Sequence, residues 1–156
     1  MSRKRKPPYA EGDWFAVPLR AGGYGVGVVA RADGKGGVIG YFFGPRLATP
    51  PELEALSSNT PNSAVLVANL GDLGLLRGEW KLLGRHRAWK REEWPIPVFV
   101  RRDAVTGQPR KIIYSEPDLN SESAVLPCTE TEAEVLPRDG VMGYGAVEIR
   151  LTRLLA

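Results

Sequence analysis

Asp13-Trp14-Phe15-Ala16-Val17-Pro18-Leu19, Tyr24-Gly25-Val26-Gly27-Val28-Val29-Ala30 and Val38-Ile39-Gly40-Tyr41-Phe42-Phe43 follow one another with only Gly-rich breaks between them. Short runs of aromatic and β-branched residues favour strands. The breaks, Ala21-Gly22-Gly23 and Asp33-Gly34-Lys35-Gly36-Gly37, are too short for the crossover that parallel strands require. The three runs therefore predict an antiparallel meander, with Pro18 marking a strand end or a sheet edge. From this start the fold class is α+β: a mainly antiparallel, strongly curved sheet or partly open barrel, with one short helix and a C-terminal helix.

Downstream, Thr49-Pro50-Pro51-Glu52 places a hydroxyl, first-turn prolines and a carboxylate in helix-start order and predicts the short helix through about Leu56. Ala64-Val65-Leu66-Val67-Ala68 reads as a buried strand, and Trp80 to Gly84 as another. Pro95 and Pro97 hold Trp94 to Val100 extended and remove two amide donors, which suits a strand beginning at an edge. Thr106-Gly107-Gln108-Pro109 turns that strand back into Lys111-Ile112-Ile113-Tyr114 as a hairpin. Residues 115–138 read as a polar, proline-broken loop in which Ala133 to Leu136 could pair locally. Residues 146–155 fit either a strand or one helical face. The helix is favoured, because the run lacks Gly and Pro and ends in Arg150 and Arg153.

A length of 156 residues suits one domain, expected at residues 9–156 behind a disordered basic leader at residues 1–8. Hydrophobic residues at 43% and charged residues at 25% exclude a disordered or fibrous chain. No apolar run is long enough to cross a bilayer and no signal segment opens the chain, so a cytoplasmic location without membrane partners is expected. One cysteine, Cys128, and one histidine, His86, leave no disulfide framework and no zinc set, so no metal and no cofactor is expected.

The net charge of +3 comes from Arg3, Lys4, Arg5 and Lys6; the remainder carries 17 basic against 18 acidic residues. Such a body does not signal a nucleic-acid binder. Its charge is nevertheless uneven. Residues 77–111 hold ten basic and four acidic groups, and residues 112–156 three and eight. The two segments either meet in the fold or face different partners.

The string Gly25-Val26-Gly27-Val28-Val29-Ala30 satisfies a Gly-x-Gly-x-x-Ala pattern but lacks the helix and acidic residue of a nucleotide site, so its glycines are read as structural. Cys128 stands alone in an acidic loop, no serine lies in a nucleophile-elbow string, and adjacent Glu92 and Glu93 would point to opposite faces of a strand. No catalytic residue and no small-molecule substrate is therefore expected. Arg85-His86-Arg87-Ala88-Trp89-Lys90-Arg91 interleaves cations with an aromatic group, a composition that holds single-stranded nucleic acid or an acidic protein surface. The same stretch equally suits Trp89 packed on the core with its cations solvated; both readings stand. Trp94 either plugs the sheet's end or anchors a partner. Trp14 and Trp80, in predicted strands, are expected in the core.

The order Glu11-Gly12-Asp13-Trp14-Phe15-Ala16-Val17-Pro18-Leu19, Gly23-Tyr24-Gly25-Val26-Gly27-Val28-Val29, then Trp94-Pro95-Ile96-Pro97-Val98-Phe99 resembles the Immunity protein 26 family of bacterial polymorphic toxin systems. Gly12, Asp13, Trp94, Pro97 and Phe99 carry its most recognisable positions, and Gly143-Tyr144-Gly145 to Leu155 is also similar to the family. The resemblance implies an α+β immunity protein, not an enzyme, that neutralises a cognate toxin by stoichiometric surface complementarity. The surface expected to bind is Arg85, Arg87, Trp89, Arg91 and Trp94, followed by the acidic stretch from Glu116 to Glu134. A Gly-Asp-aromatic-Val-Pro opening is also similar to barrel ribonucleases of toxin–antitoxin systems, so a small β-barrel that binds or cuts RNA is the alternative.

Overall fold

A computed structural model describes residues 6–156, so the expected leader lies, apart from Lys6, Pro7 and Pro8, outside the described residues. Strands β1 (Asp13–Pro18), β2 (Tyr24–Ala32) and β3 (Gly37–Leu47) form the meander, each antiparallel to the next. A 3-10 turn at Leu53–Leu56 precedes β4 (Leu66–Gly71), which pairs antiparallel with β3. A single helical turn, α1 (Leu73–Leu76), leads to β5 (Lys81–Arg85), which returns to the free side of β1. Strands β6 (Phe99–Arg102), β7 (Pro109–Tyr114) and β8 (Glu122–Pro127) form a second antiparallel sheet. Helix α2 (Glu130–Val135), strand β9 (Val141–Met142), parallel to β4, and helix α3 (Tyr144–Leu154) come last. The main sheet runs β5-β1-β2-β3-β4-β9, curled but not closed, and the fold is α+β.

Strand alternation sends side chains of the main sheet to two cores. On one face Phe15, Val17, Val29, Phe42, Leu70 and Trp80 pack beneath Val147 and Leu151 of α3. On the other, Trp14, Val26, Val28, Tyr41 and Phe43 meet Trp89 and Trp94. Gly25 and Gly27 of β2 open room on the α3 face. A Cβ at Gly25 would stand 2.7 Å from Leu151 Cδ2, and one at Gly27 would stand 2.6 Å from Phe15 Cζ. The Gly-x-Gly string thus lets a helix and an aromatic ring approach the sheet. Trp80 stacks on Phe15 at 5.2 Å and 10°, and its Nε1 donates to Glu148 of α3 at 2.9 Å. That contact fixes the helix by packing and by a buried hydrogen bond together.

Three expectations change. The short helix is a 3-10 turn beginning at Leu53, because Glu52 after the proline pair stays extended at φ −72° and ψ 146°. Strand β4 lies further along the chain than Ala64–Ala68, with Ala68 and Leu70 as its buried residues. Residues 115–138 are not simply loop, for they hold β8 and α2. The closing segment settles as helix, since Val147 and Leu151 share the face turned to the sheet.

Leu151→Ala removes the side chain that fills the space beside Gly25, and should cost about 2–5 kcal/mol of unfolding free energy in urea titration. A loss below about 1 kcal/mol would show that α3 is not part of the main core.

Candidate functional site

Strand β5 is an outer strand of the main sheet, and the turn after it carries the basic-aromatic stretch. The turn is closed by Trp89 N–H donating to the His86 carbonyl at 3.0 Å. Ala88 N–H donates to His86 Nδ1 at 3.1 Å, which assigns the imidazole hydrogen to Nε2, facing Glu54 at 3.3 Å. The one histidine of the chain therefore shapes the turn and ties it to the 3-10 turn below.

The structure separates the five residues expected to bind a partner. Trp94 is 5% exposed and meets Trp14, Tyr41 and Phe43 edge-on, with ring centroids 5.9, 5.3 and 5.9 Å away. It packs into the aromatic core at this end of the sheet, with 5% of its surface left exposed. Trp89 is 8% exposed beneath the Arg85 guanidinium, which sits 4.9 Å from the ring centroid. Arg91 is exposed but tied to its own chain by Glu11 at 2.9 Å and Glu116 at 3.2 Å. Arg85 and Arg87 are exposed, as are Lys81 and Lys90. None of these four is ion-paired among the described residues.

The remaining motif positions have packing reasons. Gly12 adopts φ +94°, and a Cβ there would stand 2.8 Å from Trp89 Cε3. Asp13 closes the preceding turn by accepting from Ala10 N–H at 2.8 Å. Pro97 is half-buried, and Phe99 is fully buried against Ile39 of β3 and Ile112 of β7. The segment from Trp94 to Phe99 therefore straps the second sheet to the first.

Arg31, in the apolar strand β2, governs that strap. It is 2% exposed and donates to the Trp94 carbonyl at 2.7 Å, to the Ala30 carbonyl at 2.7 Å and to both carboxylate oxygens of Glu116 at 2.9 Å. These bonds match a buried charge that would otherwise be costly. The Arg31 guanidinium holds the Glu116 carboxyl below the usual carboxylate range, with Arg91 adding to the effect. A lone cation inside the apolar run Val26–Ala32 is the signal that could have found Arg31 from sequence. Next to this clasp lies a polar cleft of about 370 Å³ lined by Glu11, Asp33, Lys35, Arg91, Glu116 and Asp118. Glu11, Asp33 and Glu116 spend hydrogen bonds on Arg91, on the Lys35 and Gly37 amides and on Arg31, so these acids hold loops.

The acidic stretch is likewise engaged within the chain. Arg101 pairs with Glu122 and Asp139, Arg102 with Glu130, and Lys111 with Glu132. These pairs fasten β8 and α2 to the hairpin, and Thr129 and Glu132 form a reciprocal cap at the start of α2. Opposite charges in the two halves of the sequence thus partly satisfy each other, while Arg77, Lys81, Arg85, Arg87, Lys90 and Arg110 are exposed without an ion pair among the described residues. Among the described residues, no helix is long and apolar enough to cross a membrane.

A family model described as Immunity protein 26 matches residues 10–111. The match takes in β1 to β5 and the Trp94–Phe99 strap but stops within β7, so the Gly143–Leu155 segment lies beyond it. No curated protein and no solved structure matches the chain.

Two outcomes follow. Gly12→Ala forces a side chain into both a positive φ and the Trp89 ring, and should lower stability by about 1–3 kcal/mol in denaturant titration; an unchanged midpoint would mean the turn does not pack on Trp89. The pH profile of stability should fall at both ends. Glu116, held below its ordinary value of 4.5, contributes stability above that pH, and this is lost as pH drops through its folded value. Burial, then the bond to Asp139, pushes Tyr114 from 10.0 up to about 12, so its contribution is complete below pH 10 and is lost as pH climbs towards 12. Glu116→Gln should flatten the acid limb and Tyr114→Phe the alkaline limb of unfolding midpoints measured against pH.

Proposed function

We propose, from the premise that this chain belongs to the Immunity protein 26 family, that it neutralises a cognate toxin made by the same cell by covering it in a one-to-one complex. On this reading it performs no chemistry of its own. The contact surface is the outer side of β5 and the turn that follows, with Lys81, Arg85, Arg87 and Lys90 as its cations.

The observation that supports this placement is the contrast between paired and free charge. Arg31, Arg91, Arg101, Arg102 and Lys111 are bound to carboxylates of the same chain. The β5 cations have no such partner among the described residues, and they stand on a strand backed by an aromatic core. Fixed cations beside a rigid scaffold speed encounter with an acidic surface and select against basic ones. A stable inhibitory contact needs about 800 Å² on this side, more than the β5 turn alone supplies, so neighbouring residues must join it. The same free cations also favour a second reading, binding of single-stranded RNA, which differs in its salt dependence.

Co-expression with the toxin domain encoded beside this chain should restore growth of cells that the toxin otherwise arrests, and calorimetry should give one-to-one stoichiometry. Arg87→Glu combined with Lys90→Glu should slow association about tenfold or more at low salt and less at high salt, while the unfolding midpoint stays within about 0.5 kcal/mol of the parent. Toxin association indifferent to this pair would remove the β5 turn from the interface. RNA binding that falls steeply with salt, together with no toxin binding, would replace the immunity reading.

A further inference from the structure

His86 is the chain's one histidine and is buried at the start of the β5 turn. Histidine is the side chain whose ordinary change of charge falls between pH 5 and 8. Two hydrogen bonds close the turn, and both end on this residue. Trp89 N–H donates to the His86 carbonyl at 3.0 Å, and Ala88 N–H donates to the ring's Nδ1 at 3.1 Å. A side-chain acceptor two residues before the amide it serves copies an Asx turn, with imidazole in place of a carbonyl. The difference is that a proton can occupy the imidazole lone pair. With both nitrogens protonated the ring is a donor only. Nδ1–H would then confront Ala88 N–H, donor against donor, so the second of the two bonds and the imidazolium are incompatible.

The groups around the ring do not remove that conflict. Glu54 of the 3-10 turn faces Nε2 at 3.3 Å, but its side chain is 79% exposed, so water screens its attraction for a charged ring. Nε2 carries a hydrogen in both protonation states, and Glu54 keeps its bond in either. Glu93 lines the same small cavity as the ring, with Ser57, Asn59 and Thr60 as polar neighbours from the other side. Arg85 and Arg87 flank His86 in the chain, with Arg85 turned onto the Trp89 ring.

We propose that His86 is a pH-responsive latch on the β5 turn. The neutral ring holds the turn closed; a proton taken from solvent onto Nδ1 breaks the bond from Ala88 and loosens the segment that presents Arg87 and Lys90. The latch belongs to the chain alone, while its consequence, slower association with the toxin in acid, rests on the immunity reading.

The test follows the full chain by NMR from pH 8 to pH 5, where the single imidazole is identified without ambiguity. The Ala88 amide resonance should move upfield with the same midpoint as the His86 ring. His86→Asn offers a side-chain oxygen to the same amide and cannot titrate, so its Ala88 resonance should stay in place and its unfolding midpoint at neutral pH should match the parent's. Association with the toxin domain encoded beside this chain should slow about threefold more for the parent than for His86→Asn between pH 7.5 and pH 5, a ratio in which the toxin's own titration cancels. If the variant does not fold, the Ala88 and ring titrations of the parent decide. An Ala88 amide that ignores the ring, a ring that does not titrate in this range, or a folded variant with the parent's pH response overturns the latch and leaves toxin blockade standing. A parent that binds no toxin overturns the immunity reading and the effect on association, while the titration of the free chain still decides the latch.

Discussion

A guanidinium buried inside a protein must be matched or the segment around it will not fold as drawn, and Arg31 is matched by three parts of the chain at once. It reads the carbonyl of its own strand, the carbonyl of Trp94 and both oxygens of Glu116. Those bonds set where the Trp94 strap leaves the main sheet and where the second sheet's connection from Tyr114 returns. The Tyr41 hydroxyl adds a bond to the Pro95 carbonyl at 2.7 Å, so the strap is read twice in succession along its backbone. Buried ion pairs are weak sources of net stability but good sources of register, and here the register is the position of the turn between β5 and Trp94.

That geometry links the fold to the functional reading. Trp94 below and Gly12 beside it seat Trp89, Trp89 seats Arg85, and the closed turn presents Arg87 and Lys90 outward. Elsewhere the basic and acidic halves of the chain cancel through Arg101, Arg102 and Lys111, whose exposed pairs add little stability individually but fasten β8 and α2 in place. Along β5 and its turn, Lys81, Arg85, Arg87 and Lys90 are exposed without such partners among the described residues, with exposed Glu79, Glu92 and Glu93 close to them in sequence. Edge cations also protect an outer strand from pairing with unintended strands, so Lys81 and Arg85 at the two ends of β5 serve the monomer as well as the proposed complex.

Much of this was legible in residue order. Aromatic and branched runs broken by glycine are enough to specify β1 to β3, since short breaks permit only antiparallel returns, and the Pro-rich strap and following hairpin announce themselves by missing donors and a Gly turn. Strand β8 was not legible, because its residues are almost all exposed and carry no hydrophobic period; cations far away in sequence hold it. Helix α2 did leave a trace, in Thr129 followed by Glu132. Trp89 and Trp94 show the deeper limit. Each is an indole among charged or proline residues, and only the arrival of β1 and β3 decides that both rings turn inward. Arg31 is the converse, a charge that looks exposed by type and is buried because Glu116, distant in sequence, comes to meet it.

Hydrogen–deuterium exchange of the chain alone and in complex with its toxin domain tests the central claim most directly, because it reports which backbone amides a partner shields. Protection gained at residues 81–94, with little change across β8 and α2, is the predicted pattern. Protection concentrated on residues 122–135, or none anywhere at saturating toxin, would contradict the account.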